Sequence, residues 1–458
     1  MMKIVFVENR YFTWILDAVA KELLAADYEI HWIVQNPMFI PKHGQIHLLS
    51  FPKHGAKEKL SDAALAKRLH ESDRGVRWFG GDGSHWAIYR YQINEIIQAL
   101  MPDVVFSETT EFHELLTLDV CKQHGIPLLS PNVTRYPVGR LNFFLNDTLN
   151  PIGGEGKDLT DQEVDQMLTA IVERTIRPSY MEPVQHTKLQ ALKHQLNDKV
   201  RILTGWFKGE RFVTPSPWVK MLLEREHAKQ YKYWESFAHR TLPDSIQARP
   251  CVLFPLQMQP ESNIEVWGSP WSDQVDIVKR AAKALAQIGA VLVVKPNPKS
   301  KYELNAELCD VVANTPNVIA ISHTTPMKSI FDQIPLVMTV TGTVLMECIF
   351  AGKPIASLGN HAMTLYPGVL VLNAPEEILE KLQMVLRNEV AGASRQDAKQ
   401  LLNFLHKTSY PAMIWDPYRR PELMTKENLL RLNAAFVNIF LKLQESYFLM
   451  KPGVKDGR

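Results

Sequence analysis

The chain has 458 residues, 51 Lys plus Arg against 49 Asp plus Glu, and a formal net charge of +2; 46% of it is hydrophobic and 22% charged. These values exclude a collagen-like or wholly disordered chain, and near-neutrality argues against a protein that binds nucleic acid by neutralising phosphates. The four cysteines, Cys121, Cys251, Cys309 and Cys348, stand far apart without metal-ligand spacing, so neither a disulfide framework nor a zinc module is expected and a reducing compartment is.

The first apolar run, Lys3-Ile4-Val5-Phe6-Val7, is too short for a signal-peptide core. No stretch offers the roughly 18 apolar residues of a membrane span. The expectation is a cytoplasmic protein, with contact at the inner face of the membrane left open. A strand over 4–7 is followed by a helical pattern over 12–26 and strands over 30–34 and 46–51. A helix over 87–100 leads to a strand ending at Phe106-Ser107. A helix over 111–124 stops at Gly125, before a strand over 127–130. This β-α rhythm with buried β-branched runs predicts a parallel sheet covered on both faces.

The middle, 159–235, reads as mostly helical and charged, broken at Pro178, Pro183, Pro215 and Pro217. A second β-α series begins with Cys251-Val252-Leu253-Phe254-Pro255-Leu256. It continues with a helix over 272–288 capped by Ser272 and stopped by Gly289, and strands over 291–294, 318–322, 336–340, 355–358 and 369–372. Helices over 327–333 and 344–351 intervene. The reading is two doubly wound α/β domains: 1–240 with a helical insert, 241–424, and a C-terminal helix over 425–458 packing across both. That last helix is apolar on one side through Phe436, Ile439, Phe440, Leu443, Tyr447 and Phe448, and a membrane-surface role for it stays open.

Ligands of open α/β sheets bind at the carboxyl ends of the strands. In the second series those ends carry Gln257, Gln259, Glu261, then Lys295 and Asn297, then Ser322, His323 and Thr324, then Thr341-Gly342-Thr343. This inventory suits a nucleotide with a phosphate. Thr341-Gly342-Thr343 opens a helix, where backbone N–H groups and the macrodipole favour an anion, although a threonine there also serves as an ordinary cap. Lys295 would supply a cation or simply snorkel at the sheet edge, and Asn297 could cap the next helix. Gly80-Gly81-Asp82-Gly83-Ser84 reads as a flexible loop, and His323 as a hydrogen-bonding histidine without partner ligands for a metal. In the first domain Glu8-Asn9-Arg10 and Ser107-Glu108-Thr109-Thr110-Glu111 follow strands. Glu111 either starts a helix or transfers a proton across the cleft, while Arg135, Arg140 and Asn142 could contact an anionic sugar.

At these residues the chain resembles the capsule-polysaccharide synthesis family of glycosyltransferases, whose members transfer Kdo from CMP-Kdo or pseudaminic acid. The shared pattern is a Gln-rich loop with a carboxylate four residues on (Gln257, Glu261), a Lys-Pro-X-Pro strand end (Lys295 to Pro298), and a Ser/Thr-rich turn before a helix containing Glu347 and ending Gly352-Lys353-Pro354. Asn297 stands where the family usually has His, and Glu261 where the Kdo transferases have Asp. The resemblance implies a GT-B fold, two Rossmann-like domains facing a central cleft, with the nucleotide on the C-terminal domain. It also implies retaining transfer through a carboxylate adduct, with no metal and no cofactor, CMP-sugar being a substrate. It assigns Glu261 as nucleophile, Glu111 or Glu8 as acid/base, and a glycan acceptor that is lipid-linked in some systems. A UDP-sugar transferase or epimerase of the same architecture is the alternative.

Overall fold

The computed structural model describes residues 1–52, 58–178, 188–214, 216–247, 249–359 and 362–450, without the side chains of 188–191, 247, 362 and 445–450. Two sheets organise it. The first contains β1 (Lys3–Val7), β2 (Glu29–Val34), β3 (Gln45–Leu48), β4 (Val104–Phe106), β5 (Leu128–Val133), β6 (Leu141–Leu145) and β7 (Pro151–Ile152), in the order β3-β2-β1-β4-β5-β6-β7. β1 to β5 pair in parallel, whereas β6 and β7 add antiparallel. This edge is absent from the expected rhythm, because a short hairpin-like return carries no helix to mark it.

The second sheet contains β8 (Cys251–Pro255), β9 (Val291–Lys295), β10 (Val318–Ala320), β11 (Leu336–Thr339), β12 (Ile355–Ser357) and β13 (Val369–Val371). Their order is β10-β9-β8-β11-β12-β13, and every pairing is parallel. Central strands such as Ile4-Val5-Phe6 and Val252-Leu253-Phe254 are fully buried, as a sheet covered on both faces requires. In each sheet the strand order reverses beside the first strand, between β1 and β4 and between β8 and β11. Those switch points open a crevice at the strand ends, and the fold is the doubly wound α/β pair that the sequence predicts.

Local differences have plain causes. The helix expected from Ser272 is Gln274–Ala286, because Asp273 provides the cap, accepting from the N–H groups of Val275 and Asp276. Asn297 does not cap the next long helix, Ala306–Asn314, where Asn305 does so; its Oδ1 accepts from Lys299 N in a local turn. Gly125 closes its helix at φ 67°, as its position predicts.

The division at 240/241 differs more. Val164, Leu168 and Ile171 of the helix Asp161–Val172 share a core with Leu345, Ile349, Leu401 and Leu402. Trp234 of the helix Pro217–Phe237 lies with Val252 and Phe254. Both helices precede residue 241 yet pack on the second domain. The helix Lys188–Phe207 lies on the first domain, where the Arg201 guanidinium stands 5.2 Å, 5.0 Å and 5.3 Å from the rings of Tyr11, Trp14 and Phe39.

The C-terminal helix Lys426–Met450 returns to the first sheet, with the Phe436 ring 4.9 Å and the Phe440 ring 5.7 Å from Phe106. Phe436, Ile439 and Phe440 are therefore core rather than a membrane face, whereas the Tyr447 and Phe448 side chains lie outside the described residues. No helix among the described residues is long and apolar enough to cross a membrane.

Candidate active site

A cavity of about 660 Å³ lies between the two sets of strand ends, within the range of small-molecule sites. The first domain contributes Asn9, Arg10, Arg74, Glu108, Glu111 and Arg135 to its wall, and the second contributes Pro260, Glu261, Asn263, Lys301 and Tyr302.

Its centre is a carboxylate cluster around Arg74. This arginine sits in the short helix Arg74–Arg77, which Asp73 caps by accepting from Gly75 N. Asp73 is itself fixed by His85 Nε2 at 3.0 Å and Trp86 Nε1 at 2.7 Å. Gly75 is obligatory: a Cβ there would stand 2.1 Å from the Phe212 carbonyl oxygen. Arg74 donates to Glu111 Oε1 at 3.3 Å and stands 3.8 Å from Glu265 Oε2 of the opposite domain. Glu108 and Glu261 complete the ring of carboxylates whose fields act on it.

Four carboxylates around one guanidinium do not all ionise readily. Desolvation, reinforced by Glu114 and Glu111, pushes Glu108 well above the ordinary carboxylate range. Desolvation also raises Glu261, against the pull of Arg135, Asn263, Arg74 and Lys299. Glu265, 1% exposed, is pushed up to about 7 by burial, opposed by Arg74, Arg77 and a 2.6 Å hydrogen bond from Trp78 Nε1.

The loop bearing Glu108 and Glu111 is held by Glu114. Its carboxylate accepts from Ser107 Oγ at 2.8 Å and from the N–H groups of Glu108, Thr110 and Glu111 at 2.9 Å. Asn9 Nδ2 donates to Glu108 Oε2 at 3.0 Å. Arg10 donates to the Val213 carbonyl at 2.6 Å, with its Nε 4.0 Å from Glu111. Arg135 crosses the cleft to the Thr341 carbonyl at 3.1 Å and to Asn263 Oδ1. Among the described residues, Asn142 Oδ1 and Trp267 Nε1 are buried in the cavity wall without a hydrogen-bond partner, so both can serve a ligand.

Several expected site residues have other work. Glu8 is 1% exposed and absent from the cavity wall; it accepts from the N–H groups of Arg10 at 2.6 Å, Asn36 at 2.9 Å and Gln35 at 3.3 Å, tying the loops after β1 and β2 together. Burial raises it, yet those bonds leave it no access to a substrate. Arg140 points away, pairing with Glu155 and donating to Ser409 Oγ at 2.7 Å. Glu347 faces a separate small crevice, where Arg174 holds it at 2.7 Å.

The expected nucleotide residues divide. Gln257 exchanges two bonds with Thr341, Nε2 to Oγ1 at 3.1 Å and Oε1 from N at 3.0 Å. The Gly342 N–H donates to Thr339 Oγ1 at 3.1 Å. Those two backbone donors, expected to meet a phosphate, are thus already satisfied, and Thr341, Gly342 and Thr343 are not in the wall of the cavity. Gln259 is a stitch between Ser272 and Gln274. Lys295 is 3% exposed, 3.3 Å and 3.4 Å from the carbonyls of Pro296 and His323, and burial lowers it to about 8. Glu235, from the helix Pro217–Phe237, accepts from Ser322 Oγ at 2.7 Å and contacts His323 Nδ1 at 2.7 Å, with Thr324 Oγ1 2.9 Å from Ser322. That helix therefore covers the ends of β9 and β10.

Cations gather instead just after Asn297. Lys301, Lys220 and Arg419 line the cavity, and Lys299 stands in the field of Arg419 and Arg420. Desolvation and then Arg419, Arg74 and Lys220 hold Lys301 below the ordinary lysine range. Such a group of cations suits a phosphate or carboxylate. Among the described residues, no group of three or more His, Cys, Asp or Glu side chains is arranged to hold a metal ion.

Sequence reading missed Arg74, Glu265, Lys220, Lys301 and Arg419. Arg74 and Arg419 lie outside every strand end, and no local spacing connects them to Glu265. Glu108, by contrast, carried a signal, its place after β4.

Two doubly wound domains with a polar cleft at facing switch points define the GT-B class of architecture. Residues 207–378 match the family model described as capsule polysaccharide biosynthesis protein. No curated protein matches the chain. Solved structures similar to it include UDP-GlcNAc 2-epimerase from Methanocaldococcus jannaschii, at 11% identity, 88% of this chain, 99% of that chain and a TM-score of 0.26. CalG4, the calicheamicin glycosyltransferase, has 14% identity, 94% and 98% coverage and a TM-score of 0.27. UDP-GlcNAc 2-epimerase from Neisseria meningitidis has 11% identity, 94% and 100% coverage and a TM-score of 0.29. Similarity this low decides no activity.

Proposed function

We propose that the chain is a glycosyltransferase that moves an ulosonic acid of the Kdo or pseudaminic acid kind from its CMP-activated donor to a glycan acceptor of a surface polysaccharide, with retention. The observation that carries this reading is the meeting, in one cavity, of Glu111 and Glu108 from one switch point with Glu261 from the other. The match of residues 207–378 to capsule polysaccharide biosynthesis supports the polysaccharide side of it.

In this reading Lys220, Lys301 and Arg419 hold the donor phosphate, and Arg10 and Arg135 receive the sugar carboxylate. A Glu261 oxygen bonds to the anomeric carbon as the bond to the phosphate oxygen breaks and CMP leaves. The acceptor hydroxyl then attacks that carbon, its proton passes to the Glu111 carboxylate, and the ester to Glu261 breaks. Two displacements at one carbon retain configuration. Glu108, whose ionisation burial and the neighbouring Glu114 and Glu111 disfavour, lends a hydrogen bond rather than a second negative charge.

A thermal-shift comparison of CMP with UDP tests the donor, since a ligand of the native state raises the melting temperature. A shift with CMP alone, followed by transfer from CMP-Kdo or CMP-pseudaminic acid, is expected. A shift with UDP alone, or hydrolysis of no CMP-sugar, overturns the reading.

A further inference from the structure

The helix Lys188–Phe207 has two faces of different character. Asp198, Arg201, Ile202 and Gly205 line the cavity. On the other side Leu192, Leu196, Val200, Leu203 and Phe207 are 64%, 61%, 56%, 44% and 71% exposed. At 3.6 residues per turn these five fall within an arc of about 80°. They form one apolar stripe, the reverse of the usual surface helix, which turns such a stripe inward. Trp218 and Leu222, at the start of the next helix, are exposed as well.

The charges beside the stripe are of one sign. Lys193, Lys199, Lys208 and Arg211 are exposed. The two acidic residues of the same segment are both turned inward. Asp198 accepts from the Tyr11 hydroxyl, and Glu210 is fully buried, accepting from the N–H groups of Phe212 and Val213. An apolar stripe on a segment, 192–211, whose exposed charges are all cationic matches the interface of an anionic bilayer, where apolar side chains enter the acyl boundary and lysines meet the head groups.

We propose that the outer face of the Lys188–Phe207 helix docks this protein on an anionic lipid surface, which brings the mouth of the cavity, walled by the inner face of the same helix, beside the membrane. The docking stands apart from the transferase reading, because the stripe and its charges make no use of the site chemistry.

The test is flotation of the full chain with vesicles of phosphatidylcholine alone and of phosphatidylcholine with phosphatidylglycerol, without sugar donor or acceptor. Binding to the anionic vesicles only is expected. It should be lost in Leu196→Glu with Phe207→Glu, and weakened in Lys193→Glu with Lys199→Glu and Lys208→Glu, with melting temperatures unchanged because all five side chains are exposed. The charge-reversal set retains the apolar stripe, so it reads the electrostatic half even if the first pair fails to fold. Wild type that floats with neither vesicle, or equally with both, overturns the proposal, as does a folded Leu196→Glu, Phe207→Glu protein that floats as well as wild type. A wild-type dimer that this pair makes monomeric, with no flotation by either, assigns the face to a second copy instead.

Discussion

Arg74 stands 3.3 Å from Glu111 in its own domain and 3.8 Å from Glu265 in the other, so one guanidinium bridges the two halves of the cleft. Its removal leaves several partly buried carboxylates facing one another with less compensation. Arg74→Met is expected to lower stability by about 3–5 kcal/mol, the usual cost of breaking a buried pair from one side, and to raise the protonation of Glu265, which Arg74 holds down. Chemical denaturation at pH 7 measures the first. A variant as stable as wild type would show that the cluster is solvated enough to need no cation.

Glu265 gives a pH dependence whose sign is fixed. Its folded value, about 7, lies above the 4.5 of the free group. Between those values the folded state binds more protons than the unfolded one. Its contribution is therefore full below pH 4.5 and is lost as pH rises through 7, by on the order of 3 kcal/mol in all. Melting curves from pH 5 to 8 should fall less steeply for Glu265→Gln than for wild type. Parallel curves would place the titration elsewhere.

Lys295 works in the opposite direction. Burial lowers it from 10.5 to about 8, so its penalty is absent above pH 10.5 and complete once pH falls below 8. Lys295→Met should raise the melting temperature at pH 7. Donor affinity, read by calorimetry with CMP, should stay within about threefold of wild type if the phosphate sits at Lys301 and Arg419. A loss greater than tenfold, about 1.4 kcal/mol, would return the phosphate to Lys295.

Gly342 separates packing from ligand binding. A Cβ at this position would stand 2.7 Å from Thr339 Oγ1, which accepts the Gly342 N–H. Gly342→Ala should cost about 1–3 kcal/mol of stability through overpacking before any donor is added. Wild-type stability with abolished CMP binding would instead favour an anion at this turn.

Glu261→Gln keeps the size of the side chain and removes the nucleophilic charge. CMP affinity near wild type is expected, with turnover lower by several orders of magnitude. Mass spectrometry of the wild type incubated with donor should locate a sugar-sized adduct on Glu261. An adduct on Glu111 or Glu265, or transfer at the wild-type rate by the variant, would reassign the nucleophile.

The alternation of β-branched runs with helical stretches made both doubly wound sheets legible in the sequence, and with them the loops at the two switch points. Glu261, Glu111, Asn9, Arg10 and Arg135 follow from that alone, because a parallel strand must end where the crevice opens. Which polar groups at those ends remain available was not legible. Gln257, Thr341 and Gly342 have residue types suited to a phosphate, yet Gln257 and Thr341 spend their hydrogen bonds on each other and the Gly342 N–H spends its own on Thr339. Glu8 has the chemistry of a base, yet three backbone N–H groups claim it. Arg74, Lys220 and Arg419 line the cavity, and Glu265 approaches Arg74, from well-separated segments of the chain whose local pattern specifies a buried face but not its partner. Local pattern in the chain thus determined where a ligand could lie. The selection of donors, acceptors and charges that confront it rests on non-local burial and hydrogen-bond satisfaction, which exist only once each domain has folded and the two face each other across the cavity.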